Sequence, residues 1–116
     1  MTAITILSKR ADFVRLNRGR KFMADWFILR YAPRPEALTG EARVGYTVTT
    51  KCGNAVARNR IKRRLRALTR ELGPDLVKPA MDYVFIARAD VKPGAGDADY
   101  GALRDAVRRA FEAARA

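Results

Sequence analysis

The sequence predicts an α/β (α+β) two-layer sandwich, a small four-stranded mixed sheet packed by helices and containing one βαβ crossover. Three observations carry this expectation. A strand-like stretch, Val44 to Thr49, is followed by a long helical pattern and then by a continuous apolar stretch, Val84 to Ala87. The helical pattern between them holds Ile61, Leu65, Leu68 and Leu72, which at about 100° per residue fall within about 60° of one another, a stripe suited to packing on a sheet. The chain closes with a second amphipathic helix, roughly Ala98 to Ala114, with Tyr100, Leu103, Val107, Phe111 and Ala114 on one face, read as core packing.

The remaining elements follow in order. Ser8 to Leu16 reads as a short helix capped by Ser8, with Phe13 and Leu16 as a sparse apolar face. Lys21 to Ala24 is a short strand, and Trp26 to Tyr31 is aromatic and branched enough for a firmer one. Strand alternation lets only one of Phe27 and Ile28 face outward. Val44 to Thr49 is the third strand, and Val84 to Ala87 the fourth, apolar throughout as in a strand covered on both faces. Punctuation falls at Pro33-Arg34-Pro35, Thr39-Gly40, Gly73-Pro74, Pro79 and Pro93-Gly94. One domain, residues 1–116, accounts for the length.

Composition removes whole classes of function. The chain has no His and one Cys, so it lacks the commonest general base, every Ser-His-Asp or Cys-His arrangement, and an internal disulfide. Cys52 reads as a small buried hydrophobe. The basic half holds only Asp12, Asp25, Glu36 and Glu41 as carboxylates, widely spaced, so no catalytic residue and no protein-bound metal are expected. No apolar run approaches the ~18 residues of a membrane span. The apolar start, Ile4 to Leu7, is too short for a signal-peptide core and is followed by its basic residues, which points to a cytoplasmic protein with no membrane partner.

Charge carries the functional signal. Twenty-four Lys and Arg against 12 Asp and Glu leave a net charge of +12. Residues 1–70 hold 17 basic and 4 acidic side chains, whereas residues 71–116 hold 7 and 8. From Lys51 to Arg70 there are eight basic residues and no acidic one. Like charges at helical spacing repel by a few tenths of a kcal/mol each, so an anionic partner is implied, and nucleic acid is the first candidate. Arginine and lysine on such a face neutralise phosphates, and arginine also stacks on bases. Gly53 and Asn54, just before the helix, suit a turn whose N–H groups either cap the helix or meet an anion. Phe13, Trp26, Phe27, Tyr31 and Tyr46 are candidate platforms for unpaired bases, each also readable as core.

The stretch from Lys51 to Arg66, KCGNAVARNRIKRRLR, closely resembles the signature of the bacterial ribonuclease P protein component. The matching features are a Gly-x-Ala-Val turn, an Arg-Asn-Arg core and a following Ile-Lys-Arg-x-x-Arg. Ala11-Asp12-Phe13 with Gly19, Arg43 to Val48, and Asp82 to Arg88 are similar to the family's flanking elements. The resemblance implies a sandwich whose βαβ crossover is left-handed. It also implies a ribonucleoprotein in which the RNA subunit, using divalent metal such as Mg, removes the 5′ leader of precursor tRNA while the protein alone is inert. By the same resemblance, Lys51, Arg58, Asn59, Arg60, Lys62, Arg63 and Arg66 contact RNA. Phe13, with Arg30 or Tyr31 depending on strand register, lines the cleft for the single-stranded leader. Leu16-Asn17 stand where family members often carry a second aromatic, which points to a cleft that reads the leader more by charge than by stacking. The partners implied are the ribonuclease P RNA subunit and precursor tRNA, and the protein alone is expected to be a monomer. Composition by itself also fits a non-enzymic RNA-binding protein of ribosomal type.

Overall fold

A computed structural model describes residues 1–35 and 40–115; Glu36 and the Thr39 half of the Thr39-Gly40 turn lie outside them. The elements run β1 (Ile4–Ile6), α1 (Arg10–Leu16), β2 (Arg20–Met23), β3 (Phe27–Pro33), β4 (Ala42–Thr47), a 3-10 turn (Thr50–Cys52), α2 (Ala55–Leu76), β5 (Met81–Ala87) and α3 (Tyr100–Arg115). They form one mixed sheet of order β1-β4-β5-β3-β2. Strands β1, β4 and β5 are parallel, β3 runs antiparallel to β5, and β2 antiparallel to β3. The helix α2 joins the adjacent parallel strands β4 and β5, which is the expected βαβ unit.

Alternation along the strands sorts the side chains onto two faces. Phe27, Leu29, Tyr31, Val44, Tyr83 and Phe85 face the main core, where the buried stripes of α2 and α3 pack. Phe85 sits at its centre, with ring centroids 5.1 Å from Phe27 and 5.6 Å from Phe111. The opposite face buries Val84 against Leu7 and Leu16, with Phe13, Ala32 and Ile86 packed around them. The central strand β5 is thus covered on both sides, as its apolar run predicts. Phe27 is the inward residue of its pair, and Ile28 lies on the α1 side. Hairpin β2–β3 closes through Asp25-Trp26, where the Ala24 N–H donates to the Phe27 carbonyl.

Among the described residues the sheet has five strands, and the fifth is β1. Three residues long and at the edge, with Ile6 exposed, it lacks the length and alternation by which a strand is read from sequence. The first helix begins at Arg10 rather than Ser8; Lys9 occupies the cap position and no side chain caps it. Gly73-Pro74 does not end α2. The helix continues to Leu76, because Pro74 falls in its last turn and the Pro74 carbonyl accepts from the Thr2 N–H at 2.7 Å. Tyr100 opens α3 as an exposed residue rather than a core one, lying under the Arg64 guanidinium at 5.1 Å. Gly53 and Asn54 act as the turn and cap: Gly53 has φ 127°, and Asn54 Oδ1 accepts from the Ala57 N–H at 2.9 Å. Cys52 is half-buried at the core margin, its Sγ 3.8 Å from the Ala87 carbonyl oxygen.

Candidate nucleic-acid interface

The inward stripe of α2, Ile61, Leu65, Leu68 and Leu72, divides its basic residues between two flanks. On the flank toward α3 the charges are engaged within the chain. Arg60 pairs with Asp97 at 2.9 Å, Arg64 donates to the Ala95 carbonyl at 2.7 Å, and Glu71 pairs with Arg104. On the other flank, toward β4, stand Arg58, Lys62, Arg66 and Arg70, with Arg63 and Asn59 on the outer surface between. None of these five cations has an ion-pair partner among the described residues. Arg66 instead lies 5.7 Å from the ring centroid of Tyr46. Arg58 is half-buried with its Nε out of water and without a hydrogen-bond partner. Unpaired cations on one flank of a helix whose other flank is internally neutralised form a surface ready for phosphates. Lys51, exposed in the 3-10 turn, extends this surface beyond the start of α2.

A second basic surface lies across the sheet. The strand registers place Lys21, Arg30, Val84 and Gly45 in one row on the α1 side, and Met23, Ile28, Ile86 and Thr47 in the next. Helix α1 covers the first row only in part, leaving Ile28, Ile86 and Thr47 half-buried and Met23 exposed. The Phe13 ring lies directly on Gly45, where an added Cβ would stand 2.7 Å from Phe13 Cζ. Arg30 reaches over the same face and donates to the Gly19 carbonyl at 3.2 Å. An aromatic ring, an arginine and a lysine on the margin of an apolar strand surface suit a single strand of nucleic acid.

What holds α1 in place is an ionic cluster. Asp82, fully buried on β5, accepts from Arg43 at 2.7 and 2.6 Å and from Arg15 of α1, and Arg15 and Arg43 also pair with Asp12. Hydrogen bonding to Asp82 holds the Arg43 guanidinium above its ordinary value despite desolvation, so it stays cationic. Among the described residues no three His, Cys, Asp or Glu side chains gather as a metal-holding group.

A family profile described as Ribonuclease P matches residues 1–115. The chain is 38% identical over 110 residues to the ribonuclease P protein component of Ruegeria pomeroyi, covering 95% of this chain and 86% of that protein. It is 40% identical over 110 residues to that of Erythrobacter litoralis, covering 95% and 85%. The chain belongs to the ribonuclease P protein component family. Among solved structures, the RNase P protein of Staphylococcus aureus superposes with a TM-score of 0.76 at 25% identity, over 99% of this chain and 97% of that one. The RNase P protein of Thermotoga maritima shares the fold, with a TM-score of 0.79 at 22% identity over 93% and 96%.

As a ribonuclease P protein component, the chain is a subunit of the tRNA-processing endoribonuclease and a partner of ribonuclease P RNA. The sequence-derived sites fall on its two surfaces with two exceptions, Arg60 and Tyr31. Arg58, Asn59, Lys62, Arg63 and Arg66 lie together on α2, and Arg60 stands apart on the α3 flank. Phe13 and Arg30 both lie on the α1 side of the sheet. Tyr31 does not join them: the register turns it into the core, 6.3 Å from Tyr83, so the register question resolves in favour of Arg30. Trp26 and Phe27 pack with the main core, and Tyr46 faces α2 rather than the α1 side. Lys21, the cross-strand partner of Arg30, went unread because its face follows only from the hairpin register.

Proposed function

We propose that this chain binds the ribonuclease P RNA subunit through the unpaired flank of α2 and holds the single-stranded 5′ leader of precursor tRNA on the open half of the α1 side. The observation that carries the reading is the asymmetry of α2: its α3 flank is neutralised within the chain, and its β4 flank holds cations with no carboxylate partner among the described residues. Lys51, Arg58, Asn59, Lys62, Arg63 and Arg66 are the RNA-subunit contacts, and Arg60 joins them at the margin by exchanging Asp97 for a phosphate. Phe13, Arg30 and Lys21 hold the leader, the first by stacking and the others by charge.

In this reading the RNA subunit supplies the active site and its divalent metal, Mg, and the protein raises affinity for the leader-bearing substrate. The protein acts as a single-domain cytoplasmic monomer over residues 1–116. No helix of the described residues is long and apolar enough to cross a membrane.

The experiment is single-turnover cleavage of a precursor tRNA by the cognate RNA subunit at low magnesium, with and without the protein, mapping the 5′ end of the product. Faster cleavage at the mature 5′ end is expected only when both components are present. A protein that binds the RNA but leaves rate and cleavage site unchanged at every magnesium concentration would overturn the reading.

A further inference from the structure

A groove of about 480 Å³ runs between the edge strand β1 and the β4 flank of α2, within the ~300 to 1,000 Å³ of typical ligand sites. Ile4, Ile6, Val44 and Tyr46 give it an apolar floor, and Arg66 and Arg70 a cationic wall. No carboxylate of the described residues lines it. Ile6 is 73% exposed, so its side chain presents apolar surface to water beside two unpaired cations. Tyr46 is stacked on Phe85 with rings 6° from parallel, and its ring lies beneath Arg66.

The backbone adds polar groups. The Ala3 carbonyl and the Leu7 N–H engage β4, so by the alternation of a parallel strand the N–H and C=O of Ile4 and Ile6 point away from the sheet. The groove therefore offers flat apolar contact, edge hydrogen bonds and two cations, which are the needs of a base, its edge and its flanking phosphates.

We propose that this groove takes one unpaired nucleotide of the ribonuclease P RNA subunit, with its base on Ile6 and the Val44–Tyr46 floor and its phosphates on Arg66 and Arg70. The proposal rests on the reading that α2 binds that RNA. A peptide adding to the β1 edge would use the same backbone groups, but the purely cationic wall and its continuity with Arg58 and Lys62 favour RNA.

The test measures affinity for the RNA subunit transcript across salt concentrations. Ile6→Ser, at an exposed position, is expected to weaken binding roughly fivefold or more with an unchanged salt slope, because it removes contact with a base and not with a phosphate. A benzophenone amino acid in place of Ile6 is expected to cross-link to an unpaired nucleotide of the transcript in the reconstituted holoenzyme. Unchanged affinity of Ile6→Ser, or a cross-link to a second copy of this chain in place of RNA, overturns the groove proposal. The double variant Arg58→Ala/Lys62→Ala separates the two levels. If it weakens binding while Ile6→Ser does not, only the groove fails; if it too leaves affinity unchanged, the reading of α2 fails.

Discussion

Phe13 reaches the sheet because Gly45 has no side chain. A Cβ there would stand 2.7 Å from the ring and 3.1 Å from the Leu7 carbonyl oxygen, so Gly45→Ala must lift the ring or shift β4. The expected outcome is a loss of ~1 to 3 kcal/mol of stability by urea unfolding, with several-fold weaker discrimination of leader-bearing precursor over mature tRNA. Arg30→Ala is expected to weaken leader affinity, and Tyr31→Phe to leave it unchanged, because the two neighbours face opposite sides of β3; equal losses in a competition assay would contradict the register argument. Tyr83 illustrates how burial also sets pH behaviour. Desolvation pushes its phenol above the ordinary 10.0, and the hydroxyl, accepting from the Lys78 N–H at 2.9 Å, only partly offsets this. A group raised in the folded state favours folding while protonated, so its contribution is present below the ordinary tyrosine range and lost as pH rises through the raised value. Wild-type urea midpoints should therefore fall more steeply than those of Tyr83→Phe as the solution is made alkaline.

Helix α1 spans only seven residues, well below the ~12 to 15 needed for a helix to persist alone, so its place depends on docking. Leu16 supplies the apolar part and Asp82 the ionic part, bridging Arg15 on the helix to Arg43 on β4. Asp82→Asn leaves two guanidinium groups facing a neutral side chain. Because Arg15 and Arg43 keep side-chain exposures of 28% and 19%, the expected cost is at the lower end of ~3 to 5 kcal/mol, with α1 amides losing hydrogen-exchange protection first. In α2 the two kinds of residue separate cleanly. Leu65→Ala, fully buried under the stripe, should cost ~2 to 5 kcal/mol of stability. Arg66→Ala should keep most of the stability and lower the salt slope of RNA binding by roughly 0.7 to 0.9. An unchanged slope in Arg66→Ala would count against a phosphate contact there.

For the molecule as a whole, a net charge of +12 does not translate into twelve phosphate contacts. Arg104, Arg108, Arg109 and Arg115 on α3 are held by Glu71, Asp105, Glu112 and backbone carbonyls, and Arg60, Arg64 and Arg88 by the segment from Arg88 to Tyr100. With Lys51, Arg58, Lys62, Arg63, Arg66 and Arg70 as the cations of α2 and its preceding turn that have no ion-pair partner among the described residues, binding to the RNA subunit should follow a log-log salt slope of roughly −4 to −5.5. A slope near −10 would require the α3 face or the α1 side to join the same contact. The two basic surfaces lie on opposite faces of one sheet, α2 on one and Phe13 with Arg30 on the other, so variants on each should affect RNA-subunit binding and leader binding independently.

The sequence by itself determined the sandwich, the buried stripe of α2, the central position of the Val84 to Ala87 strand and the set of candidate RNA contacts. Each of these is written in local spacing: apolar residues at helical intervals, a run of charge without acids, a sixteen-residue signature. Only the tertiary structure decided which of those cations remain free. Arg58 and Arg60 are two residues apart in one motif, and what separates them is Asp97, brought beside Arg60 by the loop before α3. Likewise Arg30 and Tyr31 are adjacent, and the pairing of β3 with β2 and β5 alone assigns one to the open face and the other to the core. Strand β1 was illegible for a related reason: three edge residues have too little pattern of their own, and they become a strand because β4 presents its free edge to them.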